Sequence, residues 1–197
     1  YSQVLGDWDL GIAHFHGTSR DPRLVVGTDG GGNTVLVPHY DIVDRTSLDL
    51  QATLDAWLLK LEAVYEDADN YDSFAAVSTG FEYTFFGAID DTGDIGVLME
   101  YHRDNRNSLA PATLFDDDIF IGSRITLNDE DDTSFLGGMI FDPSSKARLL
   151  SLEAETRLDD FWTLEFEANF YQGMTSSELL YGSREDDHAI IKLTHYF

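Results

Sequence analysis

Carboxylate and imidazole side chains that could do chemistry together stand in the segment Glu185-Asp186-Asp187-His188. A carboxylate beside a histidine can orient the ring as a general base that activates water, which makes Asp186 and His188 candidate catalytic residues of a hydrolase. No Gly-x-Ser-x-Gly sequence surrounds any serine, so a nucleophile elbow is not indicated. Clustered aspartates are more often solvated charge, and we expect that the protein is not an enzyme.

Metal-binding patterns are weak. The segment Asp67-Ala-Asp69-Asn70-Tyr71-Asp72 has the acidic spacing of a calcium loop, but it lacks the glycine at position six and the glutamate at position twelve. The absence of cysteine excludes thiolate sites, cysteine nucleophiles and disulfides. We therefore predict no cofactor and no dedicated metal site, with at most loosely bound Ca²⁺ or Mg²⁺ at the acidic loops.

The composition narrows the class of protein. The 197 residues carry a formal net charge of −25, which argues against nucleic-acid binding because phosphate contacts need a basic surface. Hydrophobic residues make up 43% of the chain, too many for a disordered acidic segment. Charges interrupt every apolar stretch, so no transmembrane helix is expected. The length suits one domain over residues 1–197.

Alternation of apolar and polar residues dominates the chain and predicts β-strands. Between residues 161 and 171, Trp162, Leu164 and Phe166 share one face, whereas Glu165 and Glu167 lie on the other. The pattern recurs in about ten segments of about ten residues, the length of a tilted strand that crosses a bilayer. No charged residue lies on these apolar faces; segment 133–141 is apolar on both faces and cannot be oriented.

The predicted connections alternate between short and long. Short acidic turns lie near residues 55, 90–93, 129–132 and 159–160. The opposite connections span 18–32, 66–72, 103–116 and 173–186, with 142–146 as a shorter exception. Short turns on one side and longer loops on the other are typical of outer-membrane barrels. The predicted fold is therefore an all-β, transmembrane, antiparallel up-and-down β-barrel with short periplasmic turns and longer extracellular loops.

Aromatic residues stand at both ends of the apolar faces, with mainly aliphatic residues between them. Rings at the two water–lipid boundaries form the girdles of a membrane barrel. The predicted girdle comprises Trp8, Trp57, Tyr83, Phe85, Trp162 and Phe197 on the short-turn side, and Tyr65, Tyr101 and Phe170 on the loop side.

The final strand, Asp187-His-Ala-Ile-Ile-Lys-Leu-Thr-His-Tyr-Phe197, resembles that of integral outer-membrane proteins of Gram-negative bacteria. In that family a C-terminal phenylalanine, preceded by apolar residues at every second position, is the signal for the barrel-assembly machinery. The resemblance gives this role to Ala189, Ile191, Leu193 and Phe197, while His195 departs from the pattern. It implies the bacterial outer membrane as the location, with lipid, lipopolysaccharide and the assembly machinery as partners.

The opposite faces of the strands are strongly acidic. A lumen rich in carboxylates would favour cations and make a small pore, whereas ion pairing within a narrow barrel would form a polar plug that braces the wall. Both interpretations remain open. The predicted lumen-lining residues are Asp49, Lys60, Glu62, Glu82, Glu100, Arg124, Glu153, Glu155, Glu165, Glu167 and Lys192.

Other hypotheses also remain. Omptin-type outer-membrane proteases place Asp/His pairs at the loop-side rim, and Asp186 and His188 are similar to such a pair. A soluble, lipocalin-like ligand-binding barrel would also alternate, but with its apolar face inward. The chain could also be the C-terminal part of a larger barrel with further strands upstream, and the oligomeric state is undetermined. Arginines on the loop side could contact lipopolysaccharide phosphates or neutralise neighbouring aspartates: Arg20, Arg23, Arg103, Arg106 and Arg184.

Overall fold

Eleven antiparallel strands form one sheet in the computed structural model, which describes residues 1–176 and 179–197. Apart from an inserted hairpin, each strand pairs with its neighbours in the sequence. The sheet consists of β1 (Ser2–Leu5), β2 (Trp8–Thr18), β5 (Ile42–Leu54), β6 (Trp57–Ala68), β7 (Tyr71–Ile89), β8 (Gly93–Asp104), β9 (Asp117–Thr126), β10 (Ser134–Phe141), β11 (Arg148–Arg157), β12 (Trp162–Gln172) and β13 (His188–His195). The prediction of an all-β, antiparallel, up-and-down fold is confirmed.

The sheet does not close into a barrel. Its order runs from β1 at one edge to β13 at the other, and these two strands do not pair within the described residues. Each edge strand therefore has one neighbour, β2 for β1 and β12 for β13. The closed barrel predicted from the sequence is thus not present in this structure.

The predicted short turns are confirmed at one end of the sheet. Residues 55–56, 90–92, 127–133 and 158–161 connect successive strands there. Asp55, Asp90, Asp91 and Asn128 adopt positive φ angles of 50°, 49°, 61° and 54°. Aspartate and asparagine tolerate this left-handed conformation better than most residues, which explains their presence in three of the four turns. In turn 158–161 the Asp159 carboxylate instead accepts the backbone N–H groups of Phe161 and Trp162.

The opposite end differs from the prediction at two connections. The predicted loop 66–72 is wrong, because β6 continues to Ala68 and β7 begins at Tyr71 after a bulge, which leaves Asp69 and Asn70 between them. The predicted loop 18–32 contains strand β3 (Arg23–Thr28), which pairs with β4 (Thr34–His39) in a separate hairpin. Alternating apolar residues on both sides of the glycine-rich tip could have indicated this hairpin.

The other loops agree with the predicted ranges. Residues 105–116 connect β8 to β9, 142–147 connect β10 to β11, and 173–187 connect β12 to β13. The last loop includes a 3₁₀ turn at Leu179–Ser183. Positions 177 and 178, within the predicted loop 173–186, lie outside the described residues. No helix in the described part of the chain is long and apolar enough to cross a membrane.

Strand β10, whose orientation the sequence left open, is oriented by its neighbours. Phe135 lies opposite Ile125 and Ala154, and Leu136 lies opposite Arg124 and Glu153. Phe135 therefore belongs to the apolar face and Leu136 to the polar face. Apolar residues on both sides of this strand had hidden the alternation.

Candidate functional site

The strand register separates the sheet into an apolar outer face and a polar inner face. Across β5 and β6, Leu50 lies opposite Leu61 on the outer face, whereas Asp49 lies opposite Glu62 on the inner face. Because side chains alternate along a strand, this one pairing assigns the faces of every strand in the ladder. The predicted lumen-lining residues all share the inner face.

Part of the inner-face charge is paired. Lys192 Nζ donates to both carboxylate oxygens of Glu165 at 2.9 Å. Arg124 Nη2 lies 3.9 Å from Glu82 Oε2, and His102 Nε2 lies 3.7 Å from Glu100 Oε2. Lys192 and Arg124 thus offset the charge of Glu165 and Glu82, while other acids of the inner face form no ion pair in the described residues.

Four inner-face glutamates, including the Glu165 that Lys192 contacts, lie directly opposite one another in two pairs. Glu153 lies opposite Glu167 across β11 and β12, and Glu155 lies opposite Glu165. Like charges directly across a ladder destabilise it. The four glutamates line a cavity of about 330 Å³, in which Arg124 and Lys192 are the cationic residues among the described lining. Four carboxylates and two cations give the lining a charge of −2, which attracts cations.

Glycines make room for large groups on the inner face. A methyl group at Gly122 would lie 2.7 Å from Phe120 Cζ, and one at Gly96 would lie 2.7 Å from Glu82 Oε1. Both distances are below any normal carbon contact, so a larger residue would displace the ring or the carboxylate. The glycines thus allow Phe120 and Glu82 to lie flat along the strands.

Beyond these residues, the loop-side end of β5 to β7 holds a polar cluster that the sequence analysis missed. We define this loop-side cluster as Arg23, Asp41, Arg45, Glu66 and Tyr71. Arg23 donates to both oxygens of Asp41, at 2.6 and 3.1 Å, and Asn70 Nδ2 donates to Asp41 Oδ1 at 2.6 Å. No local spacing predicts this cluster, because the β3–β4 hairpin brings Arg23 back to Asp41.

Glu66 is the centre of the cluster and is fully buried, with 0% of its surface exposed. Its carboxylate accepts a hydrogen bond from Arg45 Nε at 2.5 Å and another from the Tyr71 hydroxyl at 2.7 Å. Both carboxylate oxygens are therefore used. A buried carboxylate needs such partners because its desolvation is costly.

Loop 105–116 covers this end of the inner face. Ala110 packs into a buried cluster with Val43, Tyr71 and Phe74. The guanidinium of Arg106 lies 4.3 Å from the centre of the Phe74 ring and is held by Asp104 at 2.6 Å. Further along the same loop, Leu114 and Phe115 line a small pocket with Asp118 of β9, Ile140 of β10 and Leu149 of β11. The loop thus covers the loop-side end of the inner face, and no residue of it lines the cavity that holds the four glutamates.

The arrangement around Asp41 predicts a loss of stability in acid. The hydrogen bond from Arg23 lowers the pKa of Asp41 from 3.8 to about 2, although burial opposes this shift. A carboxyl group whose pKa is lower in the folded state contributes stability above its unfolded pKa and loses it as the pH falls. We expect the free energy of unfolding to fall by about 2 kcal/mol between about pH 4 and pH 2, because each unit of pKa difference corresponds to about 1.4 kcal/mol.

Urea unfolding at pH 6, 4 and 2.5 would measure this loss. The Asp41→Asn variant should be less stable at pH 6, and its stability should fall less than that of the parent protein between pH 4 and pH 2.5. Other aspartates with lowered pKa values, such as Asp29 and Asp142, titrate in both proteins. An equal dependence in both proteins would contradict the assignment to Asp41.

The predicted catalytic pair is not joined through its carboxylate. His188 Nδ1 contacts the backbone oxygen of Asp186 at 2.8 Å, and Asn169 Nδ2 lies 3.4 Å from His188 Nε2. The neighbouring Asp187 carboxylate instead accepts the backbone N–H of Tyr171 at 2.7 Å. Within the described residues, no group of three or more His, Asp or Glu side chains is arranged to hold a metal ion.

Most of the loop-side arginines are occupied by acids. Four of the five pair with a carboxylate: Arg23 with Asp41, Arg103 with Asp117, Arg106 with Asp104 and Arg184 with Glu185. Arg20 is exposed and forms no ion pair in the described part of the chain. The arrangement supports neutralisation of neighbouring acids for four of them.

The outer face carries the aromatic residues in clusters. Trp57 lies 4.7 Å from Tyr83 and Tyr83 lies 4.7 Å from Phe85, as ring centroids. His195, which departs from the expected terminal pattern, packs 4.4 Å from Trp162 and 4.7 Å from Phe197. The histidine ring thus joins the aromatic cluster at the short-turn side.

The remaining girdle and terminal residues keep the same face. Tyr65 pairs with Ala75, Tyr101 with Ile119 and Phe170 with Leu150, at the loop end of the sheet. Ala189, Ile191 and Leu193 pair with the outer-face residues of β12. Comparison with known proteins found no matching protein-family model, no matching curated protein and no matching solved structure.

Proposed function

We propose that this chain forms the wall of an integral β-barrel of the bacterial outer membrane. Its outer face lies against lipid, and its acidic inner face lines a lumen that favours cations. The observation that carries the proposal is the outer face itself, which is apolar, exposed and bounded by aromatic residues at both ends. Trp57 is 44% exposed and Ile121 is 48% exposed on this face.

The height of the apolar band fits a membrane. On β6 it extends over nine residues from Trp57 to Tyr65, which are eight steps or about 26 Å along the strand. A strand tilt of about 40° reduces this to about 20 Å between backbone positions, and the rings extend it at both ends towards the band of about 25 Å that outer-membrane barrels expose.

The location of the buried residues favours lipid rather than water as the environment of the outer face. Every buried strand side chain larger than alanine in the described residues lies on the inner face: Val43, Glu66, Tyr71, Phe74, Leu98, Asp104 and Asp118. A soluble barrel would bury its apolar face instead. A water-exposed apolar surface across the whole sheet would also far exceed the patches that soluble monomers carry.

We assign different roles to two regions of the inner face, the covered loop-side end and the open cavity. The loop-side cluster and loop 105–116 brace β5 to β8 as a polar plug. Near β9 to β13, Glu153 and Glu167 face the cavity without a cationic partner in the described residues. Carboxylates at such a wall raise the local concentration of cations, so we place cation passage or binding there.

The three native tryptophans provide the test of lipid contact. Trp8, Trp57 and Trp162 are the only tryptophans, and all lie on the outer face at the short-turn side. In vesicles, lipids brominated close to the headgroup should quench their fluorescence strongly, and lipids brominated near the acyl ends should quench it weakly. Interfacial rings lie near the headgroups, which is the reason for this order.

A mid-face tryptophan gives the matched control. In a variant with all three tryptophans replaced by phenylalanine, Ile121→Trp should show the reverse order, with the deep bromines quenching more. If neither protein is quenched by any brominated lipid, the outer face does not contact lipid and the proposal fails.

A further inference from the structure

We propose that an odd number of additional antiparallel strands, from outside these 197 residues, completes the barrel between β1 and β13. This inference rests on the proposed function, because only a membrane wall requires its edges to be closed. In a bilayer an unpaired strand edge leaves backbone N–H and C=O groups without partners, and each such group costs several kcal/mol.

The two free edges differ in length, because β1 has four residues and β13 has eight. β13 hydrogen-bonds to β12 on one side, and its side chains project freely on both faces, with Ile190 49% and Ile191 74% exposed. The Tyr196 N–H donates a hydrogen bond to Phe161 O, so the N–H groups of every second residue of β13, counted from Tyr196, are directed towards β12. Antiparallel alternation then directs the N–H groups of Ala189, Ile191, Leu193 and His195 towards the free edge.

Strand direction prevents the two edges from pairing with each other. Each of the ten steps from β1 to β13 is antiparallel. After an even number of reversals, β1 and β13 run in the same direction. Joining them would create a parallel pair, whereas up-and-down barrels are antiparallel throughout.

Closure between β2 and β13 would be antiparallel, but β1 already occupies that edge of β2. The hairpin turns at Gly6, which has a φ of 63°, and pairs Leu5 with Trp8. The ladder continues to Tyr1, whose backbone exchanges two hydrogen bonds with Ile12 at 2.8 and 2.9 Å. Ten-stranded closure would have to break all of these bonds.

A second copy of this chain cannot supply the missing strand. Copies inserted in one membrane share one orientation, so the edge strands of every copy run in the same direction. Pairing between any two of them would again be parallel. The partner is therefore a different strand that runs opposite to β1 and β13.

The faces of the edge strands specify the partner's chemistry. On β1, Leu5 extends the outer face beside Trp8, and the next residue on that face is the polar Gln3 opposite Leu10. On β13, Ile191 and Leu193 extend the outer face beside β12. A strand between them must alternate, with apolar side chains outward and polar side chains inward. The resulting barrel has at least twelve strands and a wider lumen than ten strands would enclose.

Amide exchange of the 197-residue chain in detergent micelles tests the inference. The edge-directed amides of Ala189, Ile191, Leu193 and His195 should exchange at least 100-fold faster than those of Ile190, Lys192 and Thr194. A synthetic peptide with the sequence of β12, residues 162–172, runs opposite to β13 when paired and should slow the fast set at least tenfold. A scrambled peptide that lacks the alternation should not.

Three results would overturn the inference. One is protection of the edge-directed amides in the chain alone, and another is failure of the β12 peptide to slow them. The third is efficient disulfide formation in the double variant Ala13→Cys and Ile190→Cys, which would show closure of β2 on β13 in this cysteine-free chain. The tryptophan-quenching result is independent of all three, so failure of closure is distinguishable from failure of the membrane assignment.

Discussion

Replacement of Ile191 by arginine, on the proposed lipid-facing surface, is expected to lower the free energy of unfolding in lipid vesicles by about 2 to 4 kcal/mol. Ile191 lies in the middle of β13 on the outer face, opposite Phe166 of β12. A basic side chain on the lipid face of a barrel carries this cost at the bilayer midplane. Urea titration of the protein refolded into vesicles measures this change.

The adjacent isoleucine gives a matched control. Ile190→Arg introduces the same side chain one residue earlier, on the inner face opposite Glu167. We expect this variant to change the folding free energy by less than about 0.5 kcal/mol, because the guanidinium meets a carboxylate and water. Equal destabilisation by the two variants would contradict the assignment of the faces.

Replacement of Glu66 by alanine is expected to destabilise the protein by about 3 kcal/mol. Removal of the carboxylate leaves the Tyr71 hydroxyl without its acceptor and Arg45 without its hydrogen-bonded anion. Loss of one partner from a buried pair costs about 3 to 5 kcal/mol. The partial exposure of Arg45 places the effect at the lower end, since water can solvate its guanidinium. The midpoint of urea unfolding in vesicles gives the measurement.

Glu62 provides the comparison on the same strand and the same face. It is exposed, and no hydrogen bond or ion pair to its side chain occurs in the described residues. Glu62→Ala should therefore change stability by less than about 0.5 kcal/mol. If Glu66→Ala is no worse than Glu62→Ala, the loop-side cluster does not stabilise the fold.

Local patterns predicted ten of the eleven strands of the large sheet, their faces and the short turns, but not β1 or the β3–β4 hairpin. Trp57 and Tyr83 illustrate the reason, because period-two alternation assigns each ring to a face before any partner strand is known. The acidic turns were equally local, since Asp55 and Asn128 satisfy a backbone requirement within their own turns. Segment 133–141 was the exception, because its two apolar faces carry no alternation.

Contacts between distant residues were beyond such patterns. The β3–β4 hairpin joins Arg23 to Asp41, and the extension of β6 and β7 buries Glu66 beside Tyr71. Neither contact has a periodic signal, because each depends on the path of a connection rather than on alternation within a strand. The loop-side cluster was therefore absent from the predicted site.

The sequence by itself determined an all-β chain with one apolar face, aromatic residues at both ends of it, and an acidic opposite face. Side-chain alternation decides these properties within each strand. Only the tertiary structure decided which acids are paired, that loop 105–116 caps one end of the inner face, and that β1 and β13 remain as free edges. Pairing and closure depend on the register and direction of whole strands relative to one another, and alternation along one strand carries no information about either.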